Sequence, residues 1–95
     1  MASVGILTLE LRLEHSHSLK DKRQVVRSLK ERLRGRFNVA VAEIDCQDLW
    51  QRAVLAAVTV SSDREQAEKV LRAVDSEAAE SLGEALVGSS LEWLA

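Results

Sequence analysis

The chain has 95 residues, 46% hydrophobic and 29% charged, with a net charge of −2 and one cysteine. That length supports a single domain over 1–95, and the apolar content supports a packed core and not a disordered segment. A lone Cys46 excludes an internal disulfide, and no stretch approaches the roughly 18 apolar residues of a membrane helix.

Residues 4–13 alternate in character. Leu7, Leu9, Leu11 and Leu13 point one way, and Ile6, Thr8, Glu10 and Arg12 the other. Such alternation predicts a strand with one buried face. The start of the chain lacks a basic region and carries Glu10 and Arg12, which argues against a signal peptide. With a single cysteine, a cytoplasmic protein is expected.

The next segment predicts a helix over 18–34. Ser18 is a suitable N-cap with Asp21 three residues on, close to a capping box. Leu19, Val26, Leu29 and Leu33 recur at helical spacing, Val25 widens the stripe, and Gly35 is placed to end the helix. Lys22 falls near the centre of the apolar stripe, where it would snorkel past the helix start or reach a partner.

Residues 37–45 and 52–60 read as second and third strands, joined by a polar loop around Trp50. The third strand is apolar on both faces, with Val54, Ala56 and Val58 on one and Ala53, Leu55 and Ala57 on the other. A sheet covered on one side needs only one apolar face, so this excess predicts self-association. Ser62 and Glu65 form a second capping box. Ala67, Val70, Leu71, Val74 and Ala78 make the stripe of a second helix that Gly83 ends. Glu65–Lys69 and Glu68–Arg72 are spaced as i,i+4 pairs. Residues 84–94 give a last strand, with a bulge expected at Gly88-Ser89-Ser90. The order β-α-β-β-α-β predicts a ferredoxin-like α+β sandwich, a four-stranded antiparallel sheet with both helices on one face. The expected core is Leu7, Leu9, Leu11, Leu29, Leu33, Val70 and Val74.

Three segments carry a resemblance. Ser18-Leu19-Lys20-Asp21-Lys22-Arg23, then Arg36-Phe37-Asn38-Val39-Ala40-Val41-Ala42-Glu43, then Gln47-Asp48-Leu49-Trp50-Gln51-Arg52-Ala53 resemble the YlxP-like family of small bacterial proteins. The resemblance spans essentially the whole chain and implies the same ferredoxin-like fold. It brings no catalytic residues. Genes of that family often neighbour those of transcription-elongation, translation-initiation and ribosome-maturation factors, which implies a role near RNA or the ribosome. Relatives often have His where this chain has Cys46.

Charge is unevenly spread. Residues 1–36 hold nine Lys/Arg against four Asp/Glu, and residues 37–95 hold four against eleven. On a helical wheel Lys20, Arg23, Arg27, Lys30 and Arg34 form one stripe beside the apolar face, a pattern suited to phosphates. RNA or the ribosome is the expected partner. Base stacking is not expected, because the strands offer only Phe37 and Trp93. A second candidate surface is Gln47, Asp48, Trp50 and Arg52, a loop whose tryptophan could anchor a partner or close over the core edge. The rival class is a homodimeric or small-ligand module using the open sheet face.

His15 and His17 share one side of the strand end, but two histidines are not a metal site, and no metal or cofactor is expected. Asp45 and Asp48 near Cys46 oppose a reactive thiolate. There is no Gly-rich phosphate loop, nucleophile elbow or carboxylate pair. Glu14-His15-Ser16-His17 also stands where ferredoxin-like acylphosphate hydrolases carry a glycine-rich loop. A non-enzymatic protein is expected.

Overall fold

The computed structural model describes residues 1–95. Its elements are β1 (Ser3–Arg12), α1 (Leu19–Arg36), β2 (Ala40–Asp45), β3 (Arg52–Ser61), α2 (Arg64–Leu82), a 3-10 turn (Gly83–Ala85) and β4 (Leu86–Trp93). The strands form one antiparallel sheet in the order β2-β3-β1-β4. This is the ferredoxin-like arrangement that the element order predicts. Neither helix is long and apolar enough to cross a membrane.

Alternation along β1 sets the layers. Leu7, Leu9 and Leu11 stand opposite Ala57, Leu55 and Ala53 of β3, and all six are buried. Leu29 and Leu33 of α1 and Leu71, Val74 and Ala78 of α2 close over them. Val70 is only half-buried, and Leu71 takes the core position beside Val74. Val25, expected to widen the stripe of α1, is exposed. Both corrections have one cause: each helix meets the sheet along a narrower line than the sequence stripe suggests.

Helix ends follow local hydrogen bonding. Ser18 caps α1 by accepting the Asp21 N–H, while the Asp21 carboxylate reaches back to accept the His17 N–H. α1 does not stop at Gly35. It runs on to Arg36, where ion pairs from Arg32 and Arg36 to Glu77 tie its last turn to α2. The residue that caps α2 is Asp63, which accepts the Glu65 N–H, and not Ser62. Gly83, with φ of 56°, ends α2 as expected. Of the two spaced pairs on α2, Glu68 with Arg72 forms, at 3.2 Å.

The last strand also differs from expectation. Gly88, Ser89 and Ser90 lie in regular register with β1, and the irregularity falls between the partners of Glu10 and Leu11, at Val87. Gly5 is needed for close approach. A Cβ there would sit 2.7 Å from Leu71 Cδ1 and 3.1 Å from the Trp93 ring. Gly5→Ala is therefore expected to cost about 1–3 kcal/mol through overpacking, measurable as a lower denaturation midpoint at unchanged m value.

Candidate nucleic-acid interface

Eight cations lie on α1, and the fold sorts them into two groups. Arg32 and Arg36 pair with Glu77, and Lys22 with Glu43. Lys20, Arg23, Arg27, Lys30 and Arg34 have no ion-pair partner. Four of these five, Arg23, Arg27, Lys30 and Arg34, line a shallow groove of about 380 Å³ with Val26, Glu31 and Glu43, between α1 and β2. Lys20 is exposed one turn earlier and does not line it. The helical repeat explains the grouping, since spacings of four, three and four keep side chains on one face. Of the two carboxylates in the groove, Glu43 faces Lys22, at 2.9 Å, which leaves Glu31 alone beside the four cations.

Lys22 is the residue that sequence reasoning placed least well. It neither snorkels to solvent nor awaits a partner: only 1% of it is exposed. Its Nζ donates to the backbone carbonyls of Cys46, Gln47 and Arg52, the last at 3.0 Å, besides meeting the Glu43 carboxylate. An ammonium has three N–H groups, and four oxygens compete for them. The first turn of α1 thus holds the whole β2–β3 loop. Cys46 takes a left-handed φ of 63° there, which turns its carbonyl onto the lysine. Gln51 adds a second tie, its Nε2 donating to Glu14 O and Ser16 O.

The loop that this pinning presents is the second candidate surface. Trp50 is 54% exposed and Leu49 46%, so the tryptophan does not close over the core edge. Asp48, Leu49, Trp50, Gln51 and Arg52 surround a shallow depression. Gln47 lies outside it and contributes its carbonyl to Lys22. Nearby, a larger cleft of about 630 Å³ opens between the end of β1 and the start of β4. It has Val25, Leu82, Ala85 and Val87 on its walls, and Arg12, His15 and Glu84 around them. His15 faces this cleft, while His17 stays exposed in the loop before α1. No three His, Cys, Asp or Glu side chains converge as a metal set.

Comparison with known proteins decides the family. The model of the family described as "Protein of unknown function (DUF503)" matches residues 4–90. The chain belongs to this family. It is also 39% identical over 71 residues to "Uncharacterized protein YlxP" of Bacillus subtilis (strain 168), covering 75% of this chain and 77% of that one. The resemblance in the three segments quoted above is therefore a family relationship. Among solved structures, the de novo designed protein Foldit4 is similar with a TM-score of 0.60 at 14% identity, covering 100% of this chain and 98% of that one. Bacillus subtilis YXEP, a dinuclear metal binding peptidase from the M20 family, is similar with a TM-score of 0.51 at 12% identity. The likeness takes in 98% of this chain and 26% of the peptidase. At these identities the two structures share the fold with this DUF503 protein, and no more.

Proposed function

We propose that this protein is a non-enzymatic cytoplasmic accessory factor that binds structured RNA, free or on the ribosome, through the groove beside α1. The observation that carries this reading is the division of the cations of α1. Three are spent on internal ion pairs, and the four that line the groove have none. Unpaired cations in a row can each displace a counterion from a phosphate backbone. The net charge of −2 does not oppose this, because charges beyond about 8–10 Å are largely screened at physiological salt. Nothing beside the groove offers a stacking aromatic or a set of base-edge donors, so the expected binding is weak and sequence-tolerant.

A structured RNA hairpin titrated at increasing salt tests the reading. Four phosphate contacts predict a log–log slope of about −3 to −4. Replacing Arg23, Arg27, Lys30 and Arg34 together by Glu should abolish hairpin binding and co-migration with ribosomal subunits at low salt. The fold should survive, because none of the four is in the buried core. A folded variant that binds as the wild type does would sink the hypothesis.

A second reading, a homodimeric or small-ligand module, is favoured by the uncovered sheet face. Core-facing Ala53, Leu55 and Ala57 leave Val54, Ala56, Val58 and Val60 of β3 on the other side, beside Ile6 of β1 and Ala40, Ala42 and Ile44 of β2. Val60 and Ile44 are each at least half exposed.

A further inference from the structure

The sheet ends in two free edges, β2 and β4. An unpaired edge is a template for another strand, and proteins guard such edges with charges, bulges or covering elements. β2 is guarded. It is six residues long, its register breaks between Glu43 and Asp45, and the cations of α1 stand along it. β4 is not. From Gly88 to Trp93 it is regular, and its middle, Gly88-Ser89-Ser90-Leu91, has no charge and no proline.

The hydrogen bonds fix which groups that edge presents. Leu13 N–H donates to Gln51 O at 2.8 Å, so odd residues of β1 bond to β3. Leu94 N–H donates to Val4 O at 2.8 Å, so even residues of β1 bond to β4. Antiparallel alternation then leaves the N–H and C=O of Ser89, Leu91 and Trp93 directed away from the sheet.

A side chain beside the same edge lacks a partner. The Asp75 Oδ1 is buried without a donor. It borders a cleft of about 140 Å³ shared by Leu71 and Arg72 of α2, Leu7 of β1, and Ser89, Ser90 and Leu91 of β4. A buried acceptor left unmade costs about 1–3 kcal/mol.

We propose that β4 pairs antiparallel with β4 of a second copy about a twofold axis at Ser90, forming one eight-stranded sheet. A twofold along the sheet normal keeps each residue on its own face, so the axis must pass through a residue. With Ser90 on it, Ser89 exchanges hydrogen bonds with the partner's Leu91, and Leu91 with the partner's Ser89. The two clefts meet at the axis, and each Asp75 faces the partner's Arg72, an isologous contact of opposite charges. α1 lies over β2, at the far edge of each copy. Seven strand spacings of about 4.8 Å put the two outer strands roughly 34 Å apart. Two basic grooves on one rigid sheet would then engage one polyanion bivalently, a consequence that rests on the RNA reading above.

Three measurements test this. Light scattering at tens of micromolar should give twice the chain mass of 10.5 kDa. A mass that stays at one chain overturns the proposal. Ser89→Pro should give a folded monomer, because the N–H it removes points outward and serves no bond within the sheet. A Ser89→Pro protein that keeps its β1–β4 amide protection and still dimerises also overturns it. In a Cys46→Ser background, Ser90→Cys should oxidise to a disulfide-linked dimer, since residues facing each other across a non-hydrogen-bonded pair have Cα atoms about 4.5 Å apart. Cross-linking of Val58→Cys, with none at Ser90→Cys, would assign the interface to the open face instead. Loss of the dimer should weaken hairpin binding tenfold or more. Dimerisation with no hairpin binding at all would leave the edge pairing standing and remove the RNA reading.

Discussion

Lys22→Ala is expected to lower stability by about 3–5 kcal/mol, the range for breaking a buried ion pair from one side. The size of the effect follows from what is left behind. Glu43 keeps a carboxylate in a largely buried place, and the carbonyls of Cys46, Gln47 and Arg52 lose a shared donor. At this chain length each kcal/mol corresponds to roughly 4–8 °C in Tm. Lys22→Met separates charge from packing. It keeps the apolar stem and should still lose most of the stability, whereas adding Glu43→Gln should recover part of the loss. A local readout comes from Trp50, whose loop the ammonium holds: its fluorescence anisotropy should fall in the Lys22 variants before global unfolding begins. A loss below about 1 kcal/mol for Lys22→Ala would show that the loop keeps its shape without the ammonium.

Leu29→Ala is expected to cost about 2–5 kcal/mol, as lost transfer free energy plus the cavity that remains. Leu29 is buried on the inner face of α1 in one cluster with Leu33, Leu9 and Leu55. The upper part of the range applies if this cluster cannot collapse. The β1–β3 ladder behind it, in unbroken register from the Ser3–Ser61 pair to the Arg12–Arg52 pair, favours that outcome. Urea unfolding with an unchanged m value is the measurement. A loss under about 1 kcal/mol would mean that α1 contributes little to the core.

Much of this molecule is legible in its sequence because period and face are local properties. The leucines of β1, the stripe of α2 and the Ser18 cap each need only a short window to be read. The basic stripe is legible for the same reason, since Arg23, Arg27, Lys30 and Arg34 recur at helical spacing. What a window cannot show is which cations become committed elsewhere. Arg32 and Arg36 look as free as Arg34 until α2 brings Glu77 against them. Lys22 is the extreme case: three of its four partners are backbone carbonyls, which have no sequence pattern, and all four lie beyond residue 42. The two-faced apolar character of β3 showed in the sequence, but only the helices decide that Val54, Ala56 and Val58 face outward.

The strand order also has a consequence in time. β1 is made well before either of its neighbours, for β3 follows some fifty residues later and β4 later still. At synthesis rates of about 5–20 residues per second, β1 waits several seconds for β3 to pair with it, and longer for α2, the helix that covers its leucine face. α1 emerges soon after β1 but lies chiefly over the β2 side, so it leaves part of that face bare. A nascent chain of this protein should therefore attract hydrophobic-binding chaperones in a window that closes when α2 leaves the exit tunnel. Synonymous codons that slow translation between α1 and α2 should lengthen that window and lower the soluble yield.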